Sequence, residues 1–296
     1  MVDLSIIIVS FNTKKVLLSC LKTIYASRDR LKKEVIVVDN DSQDGSVKMV
    51  KKRFPQVKLV TAGKNLGFGR ANNLGVNKAT GRYLWFLNSD TLLGKNTIGL
   101  LWQEAQKVKA QIASCRLLNP DGSIQPQGGF LPRLSRQVAW MLFVDDLPLL
   151  GRLVKPYQQR RISFFESDQR PGWLGGTALL VKASLFKKLG GFDEAIFMYA
   201  EDVDFCLRAQ KLNISPYYFS RPSLTHLGQA SGSSRGAVLG EYQGLKYVYK
   251  KHKPAWEYPA LRWLLKIGAV LRVIIFGIIL QDKNKYEVYT QAFKLA

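Results

Sequence analysis

Apolar and polar positions divide the chain into short β-branched runs that alternate with helical repeats. Residues 4–10 form a strand ending in Phe11-Asn12-Thr13, and residues 14–26 carry Val16, Leu17, Cys20, Leu21 and Ile24 at helical spacing. Residues 34–38 make a second strand, which runs into the polar turn Asp39-Asn40-Asp41-Ser42-Gln43-Asp44-Gly45-Ser46. That turn is predicted to cap a helix over 46–53. A short strand over 57–61 precedes Asn65-Leu66-Gly67-Phe68-Gly69-Arg70-Ala71-Asn72-Asn73, which opens a helix reaching about residue 79. Residues 83–87 are aromatic or branched enough for a strand buried on both faces, and they stop abruptly at Asn88-Ser89-Asp90. Strands separated by helices at this spacing predict an α/β fold whose parallel sheet is made by right-handed crossovers. A parallel sheet carries its strand C-termini on one edge. Phe11-Asn12, Asp39 and Asp90 therefore meet at one rim, where open α/β folds place their ligands. Each aspartate is equally explained as a turn or helix cap.

The second half is less regular. Residues 111–118 read as a strand and Asn119-Pro120-Asp121-Gly122-Ser123 as a turn. From 128 to 168 the pattern weakens at Pro132, Pro148 and Pro156, which predicts a variable, partly mobile insert. Order returns over 171–181, where Gly175 and Gly176 inside a predicted strand suggest close approach of a backbone or ligand. Gly190-Gly191-Phe192-Asp193 then leads to Phe197-Met198-Tyr199-Ala200-Glu201-Asp202-Val203-Asp204, three carboxylates in the first turns of a helix. The helix dipole favours acids there, but the aromatic approach sets them beside an apolar surface able to tune their proton affinity. A strand over 213–220 precedes Thr225-His226-Leu227-Gly228, and residues 229–236 have the composition of a loop able to close over a phosphate.

Composition narrows the partners. The formal net charge of +22 concentrates anions around the molecule, whether nucleic acid, an anionic leaflet or phosphorylated small molecules. No zinc-finger spacing, RNA-binding aromatic signature or basic heptad region points to nucleic acid. Cys20, Cys115 and Cys206 are far apart and lack metal-ligand spacing, as expected of reduced core residues in a cytosolic protein. The N-terminal residues show no basic region or cleavage site of a signal peptide. Gly67-Phe68-Gly69 lacks the third glycine of the dinucleotide fingerprint, and no Walker-type loop is present.

Seven blocks taken together resemble the family 2 nucleotide-sugar glycosyltransferases of the GT-A fold, especially their bacterial rhamnosyltransferase-like branch. They are Ser5-Ile6-Ile7-Ile8-Val9-Ser10-Phe11-Asn12, Val37-Val38-Asp39-Asn40-Asp41-Ser42, Asn65-Leu66-Gly67-Phe68, Asn88-Ser89-Asp90, Trp173-Leu174-Gly175-Gly176, Gly190-Gly191-Phe192-Asp193 and Glu201-Asp202-Val203-Asp204. The resemblance implies a Rossmann-like, mainly parallel sheet flanked by helices. Residues 1–118 would form its nucleotide-sugar half, 119–236 its acceptor half and 237–296 a helical tail. It further implies that Asp39 with Phe11-Asn12 holds base and ribose, and that Ser10, Asn65, Gly67, Arg70, Asn72, Asn88 and Ser89 complete the donor site. Asp90 and His226 would hold a divalent metal (Mg2+ or Mn2+), and Asp202 would be the base. Glu201, Gly175, Gly176 and Trp173 would line the acceptor side, although a buried core tryptophan explains Trp173 as well. Asn88 stands where many members have a second aspartate, so metal use is expected to be less strict. The Gln-x-x-Arg-Trp motif of processive members is missing, since Arg262-Trp263 has no glutamine in place, which implies transfer of a single sugar.

In the tail, residues 240–253 look helical and basic. Residues 256–280 carry Trp263, Leu264, Ile267, Leu271, Ile274, Ile275 and Ile278 along one face, with Arg262, Lys266 and Arg272 opposite. Those cations make spanning a bilayer costly. The expectation is a helix lying on the anionic inner face of the plasma membrane, where a lipid-linked saccharide acceptor would be met; packing on the domain or on another subunit is the alternative. The rival to an enzyme is a non-catalytic basic protein that binds membranes or polyanions on a transferase scaffold.

Overall fold

A computed structural model describes residues 1–147, 149–228 and 234–296. The expected phosphate-closing loop thus lies largely outside the described residues. The N-terminal half follows the predicted alternation: β1 (Leu4–Ser10), α1 (Lys14–Tyr25), β2 (Lys33–Asp39), α2 (Ser46–Arg53), β3 (Lys58–Thr61), α3 (Phe68–Val76) and β4 (Tyr83–Asn88). Then come β5 (Thr91–Leu93), α4 (Thr97–Lys107), β6 (Ile112–Leu118), β7 (Ile124–Gln125), α5 (Leu134–Met141) and α6 (Leu150–Leu153). The sheet is completed by β8 (Ala178–Lys182), α7 (Ala183–Lys188), α8 (Glu201–Gln210) and β9 (Tyr217–His226). The tail is α9 (Ser234–His252), α10 (Glu257–Arg272), a π-helical segment (Val273–Ile279) and α11 (Lys283–Leu295).

The strands form one sheet in the order β3-β2-β1-β4-β8-β6-β9-β5, with β7 on β6. It is parallel from β3 to β4, as the crossovers require, and mixed beyond, where β8 runs antiparallel to both β4 and β6. The two-residue period of a strand explains why these runs are apolar throughout. Ile6, Ile8, Val35, Val37, Trp85 and Leu87 face a core shared with α1 and α4, while Ile7, Ile36, Val38, Leu84 and Phe86 face a second core with Phe186, Phe192 and Phe205. A Cβ on Gly75 would stand 2.7 Å from Ile7 Cγ2, so this glycine lets α3 lie close on the sheet. Cys20, Cys115 and Cys206 are free and buried.

Four expectations change. The last strand runs to His226 rather than ending at Ser220, because Ser220, Arg221 and Pro222 bulge out between the Cys115–Phe219 and Arg116–Ser223 pairs. Proline has no N–H for the ladder, and the bulge absorbs it. Gly175 and Gly176 precede β8 instead of lying inside it. The insert is packed: Trp140, Met141 and Tyr157 are buried in a third core with Trp173, Val203 and Cys206, and with Tyr242, Leu245, Tyr249, Leu261 and Leu265 of the tail. Finally, Arg272 is not on a lipid-facing sector. It is buried, donates to the carbonyls of Trp140, Met141 and Gly268, and lies 4.3 Å from the Phe143 ring centroid. Among the described residues no helix is long and apolar enough to cross a membrane.

Candidate active site

Strand register assembles the rim. Ser10 pairs with Asp39 and Val9 with Asn88, so the ends of β2, β1 and β4 lie side by side. Asn12 takes a left-handed conformation (φ 54°), in which its side chain accepts from Gln43 N–H (2.8 Å) while its own N–H donates to Ser42 Oγ (2.9 Å). The Phe11-Asn12 turn is thereby laced to the turn after β2, leaving Phe11 45% exposed at the mouth. Buried Ser10 bonds Thr13 Oγ1 at 2.9 Å. Asp39 is buried; its Oδ2 receives the Ser42 N–H (3.0 Å), and its Oδ1 has no hydrogen-bond partner among the described residues. A buried acceptor of this kind costs free energy until something donates to it.

The glycine-containing loop before α3 is held from below. Asn40 Nδ2 donates to Asn65 Oδ1 (2.8 Å), and Asn40 Oδ1 receives the Leu66 N–H (2.9 Å). Gly67 has φ 78°, and a Cβ there would collide with the Phe197 carbonyl that accepts from Phe68 N–H. Only glycine fits both demands. Arg70 and Asn72 are engaged within the fold: Arg70 pairs with Glu194 (3.2 Å), and the buried Asn72 donates to the Phe68 carbonyl (3.0 Å).

Beyond β4, Asn88 N–H donates to the Thr177 carbonyl (2.9 Å), and Ser89 and Asp90 are buried. The β5–β9 pairing sets Thr91 opposite His226, which brings His226 Nε2 to 3.3 Å from Asp90 Oδ1. His226 Nδ1 lies 2.7 Å from Gln125 Oε1. With the ring proton on Nδ1, where Gln125 Oε1 can accept it, the Nε2 lone pair is turned toward a carboxylate oxygen. Two acceptors so placed are drawn together by a cation, either a second ring proton or a metal. The carboxylate oxygen suits Mn2+ or Mg2+, and the imidazole beside it favours Mn2+ of the two, with the remaining positions left for oxygens. Among the described residues no third histidine, cysteine, aspartate or glutamate joins them.

The same loop reaches the acids of α8. Gly176 N–H donates to Asp202 Oδ2 (3.0 Å), and Val203 N–H donates to Oδ1 (2.8 Å). A backbone path of Asn88, Thr177 and Gly176 therefore connects the Asp90 motif to Asp202. Two non-glycine residues in the left-handed region, Tyr199 (φ 69°) and Ala200 (φ 76°), launch α8 at the angle that buries its acids. Burial raises the proton affinity of both Glu201 and Asp202 despite the helix N-terminus, and the charge of Asp202 raises that of Glu201 further. Asp202 keeps two bonds that favour its charge, whereas Glu201 Oε2 has no hydrogen-bond partner among the described residues. Both acids therefore hold a proton more tightly than a free carboxyl, and Glu201 the more so because it stands beside Asp202. Asp204 is different: Lys251, His252 and Arg208 hold its carboxyl down to about 2 and fix α8 to α9. Trp173 is buried in the third core with its indole N–H on the Tyr157 carbonyl (2.9 Å).

The pattern of Glycosyl transferase family 2 matches residues 5–131. The N-acetylglucosaminyl-diphospho-decaprenol L-rhamnosyltransferase of Mycobacterium tuberculosis is 32% identical over 254 residues, covering 80% of this chain and 81% of that protein. The chain belongs to glycosyl transferase family 2. The transferase has the GT-A fold, seen also in the Pyrobaculum calidifontis mannosyltransferase PcManGT solved with GDP-Man and Mn2+ (TM-score 0.61, 17% identity, covering 99% and 84% of the two chains). Staphylococcus aureus TarS in complex with UDP is a further structural relative (TM-score 0.55, 16% identity, covering 99% and 91%).

Sequence reasoning missed four groups around the transferase site. Asn40 and Gln125 support the loop at Gly67 and His226. Gln158 and Glu241 lie beside the acids, and Gln158 Nε2 stands 2.6 Å from both carboxylate oxygens of Glu241. Glu241 is the one acid in α9, flanked by Gly240 and Gly244, which was the available signal.

Proposed function

We propose that the transferase moves one rhamnosyl unit from deoxythymidine-diphosphate-rhamnose to a lipid-linked saccharide at the cytosolic face of the membrane, with uridine-diphosphate sugars the next donor class. What carries this reading is the 32% identical relative named for rhamnosyl transfer to a diphospho-decaprenol, taken with a site in which donor and base ends are joined. Asp39 Oδ1 accepts an N–H of the base, Phe11 covers it and Asn12 shapes the ribose side. Asp90 and His226 are the residues that would hold a divalent metal, whose chemistry when bound is to neutralise the leaving diphosphate.

Asp202 takes the proton of an acceptor hydroxyl. The oxygen bonds the anomeric carbon as the bond from that carbon to the diphosphate oxygen breaks, and the nucleoside diphosphate leaves with the electron pair. One displacement inverts the configuration. Protonated Glu201 donates to an acceptor oxygen. Gly176, against which a Cβ would stand 2.9 Å from Phe68 Cε1, keeps the loop close enough to bond Asp202.

Membrane residence is supported by the exposed stripe Trp263 (70%), Ile267, Val270, Ile274 and Ile278 (62%) on α10 and the π-helical segment. Lys266, 6.0 Å from the Trp263 ring centroid, and the +22 charge suit anionic headgroups. The test is co-flotation and transfer with phosphatidylglycerol vesicles carrying the lipid acceptor. The Trp263→Ser/Ile278→Ser pair is expected to bind vesicles at least about tenfold more weakly, from the apolar area lost. It should still turn over a short-chain soluble acceptor. Unchanged flotation would remove the membrane assignment, and no transfer by the unaltered protein to either acceptor would remove the substrate assignment.

A further inference from the structure

The tail does more than decorate the transferase fold. Helix α9 packs directly on the turn that presents the base: a Cβ on Gly244 would stand 2.6 Å from Ala200 Cβ and 2.6 Å from the Tyr199 carbonyl, and one on Gly240 would strike the Tyr199 ring. Glu241 sits between these two glycines. Its charge acts on Tyr157 and Tyr199, and it feels in turn the charges of Asp202 and Arg160. The guanidinium of Arg160 is paired with Asp146 (3.1 Å), and among the described residues no salt bridge to Glu241 is present. Burial pushes its carboxyl up to about 7, with the charge of Asp202 adding to the rise.

A half-buried carboxylate with no salt bridge among the described residues, beside the proposed base, is costly unless it serves the site. A carboxylate offers about four acceptor positions. The Gln158 amide nitrogen bridges the two oxygens and the Tyr157 hydroxyl lies within hydrogen-bonding reach, which leaves capacity for one further donor. Tyr157 is itself fixed, its ring centroid 5.5 Å from that of Trp173 and its carbonyl taking the Trp173 indole N–H.

We propose that Glu241, held by Gln158 and Tyr157, is an acceptor-binding residue that takes a hydrogen bond from a saccharide hydroxyl neighbouring the one Asp202 deprotonates. The inference rests on the reading of Asp202 as the base, and it gives the tail a share in acceptor selection.

The probe is a short-chain N-acetylglucosaminyl-diphospho-lipid with its monodeoxy analogues at each hydroxyl other than the accepting one. Glu241→Gln is expected to raise the acceptor KM about tenfold or more, as for loss of a hydrogen bond to a charged group, while donor KM and kcat at saturating acceptor stay within about threefold. One deoxy analogue should cost the unaltered enzyme the same factor and cost Glu241→Gln almost nothing. Gln158→Leu, which leaves the carboxylate in place but held by Tyr157 alone, should raise acceptor KM in the same direction and covers the case of a Glu241 variant that fails to fold. An unchanged acceptor KM in these variants, or losses that add for every analogue, would overturn the subsite. Full activity of Asp202→Asn would instead overturn the base assignment on which it rests.

Discussion

Replacing Asp202 by asparagine is expected to lower kcat by about 10²- to 10⁴-fold, the range that a positioned general base supplies. The substitution is nearly isosteric, and its side-chain oxygen can still accept from either Gly176 or Val203 N–H, so the fold and the donor KM should survive. What is lost is the proton acceptor. Because burial raises the proton affinity of Asp202, the unaltered enzyme should lose rate as the pH falls from neutral and Asp202 becomes protonated. The residual rate of the variant should lack that limb. Steady-state kinetics across pH 5–8 reads both effects, and a variant that keeps both the rate and the limb would move the base elsewhere.

Replacing Asp90 by alanine is expected to cost about 10²- to 10³-fold in kcat/KM, comparable to removing one preorganised electrostatic group at the leaving atoms. Asp90 is fully buried at the end of the sheet, 3.3 Å from His226 Nε2, and no other carboxylate of its motif stands beside it, since Asn88 occupies the second position. Asn88→Ala should therefore hurt less. Titration of activity with Mn2+ should show Asp90→Ala needing far more metal than the unaltered enzyme. An equal metal requirement in the two would exclude Asp90 as a ligand.

The parallel half of the fold was legible because β-branched runs of the right length, each followed by a polar turn, have few other readings. The rim followed from it, since parallel register puts Ser10, Asp39 and Asn88 together whatever the helices do. The second half was harder. Pro222 hid the end of β9, and with it the pairing that sets His226 opposite Thr91, because a bulge leaves no periodic trace. Arg272 read as a surface cation because helical spacing records polarity and not partners; the carbonyls of Trp140 and Met141 that receive it lie more than a hundred residues away. Gly190-Gly191-Phe192-Asp193, quoted as a family block, proves to be scaffold: Phe192 lies in the core, and Asp193 takes Tyr247 OH (2.7 Å) and Lys251 from α9.

The proposed transfer is a single displacement, driven by Asp202, between a nucleotide-bound sugar and an acceptor hydroxyl. Nuclear magnetic resonance of the first transferred sugar, with deoxythymidine-diphosphate-rhamnose and the short-chain acceptor, reads its stereochemistry. The expected product has an anomeric configuration opposite to the donor's and forms together with one nucleoside diphosphate for each sugar transferred. Retained configuration would rule out a single displacement.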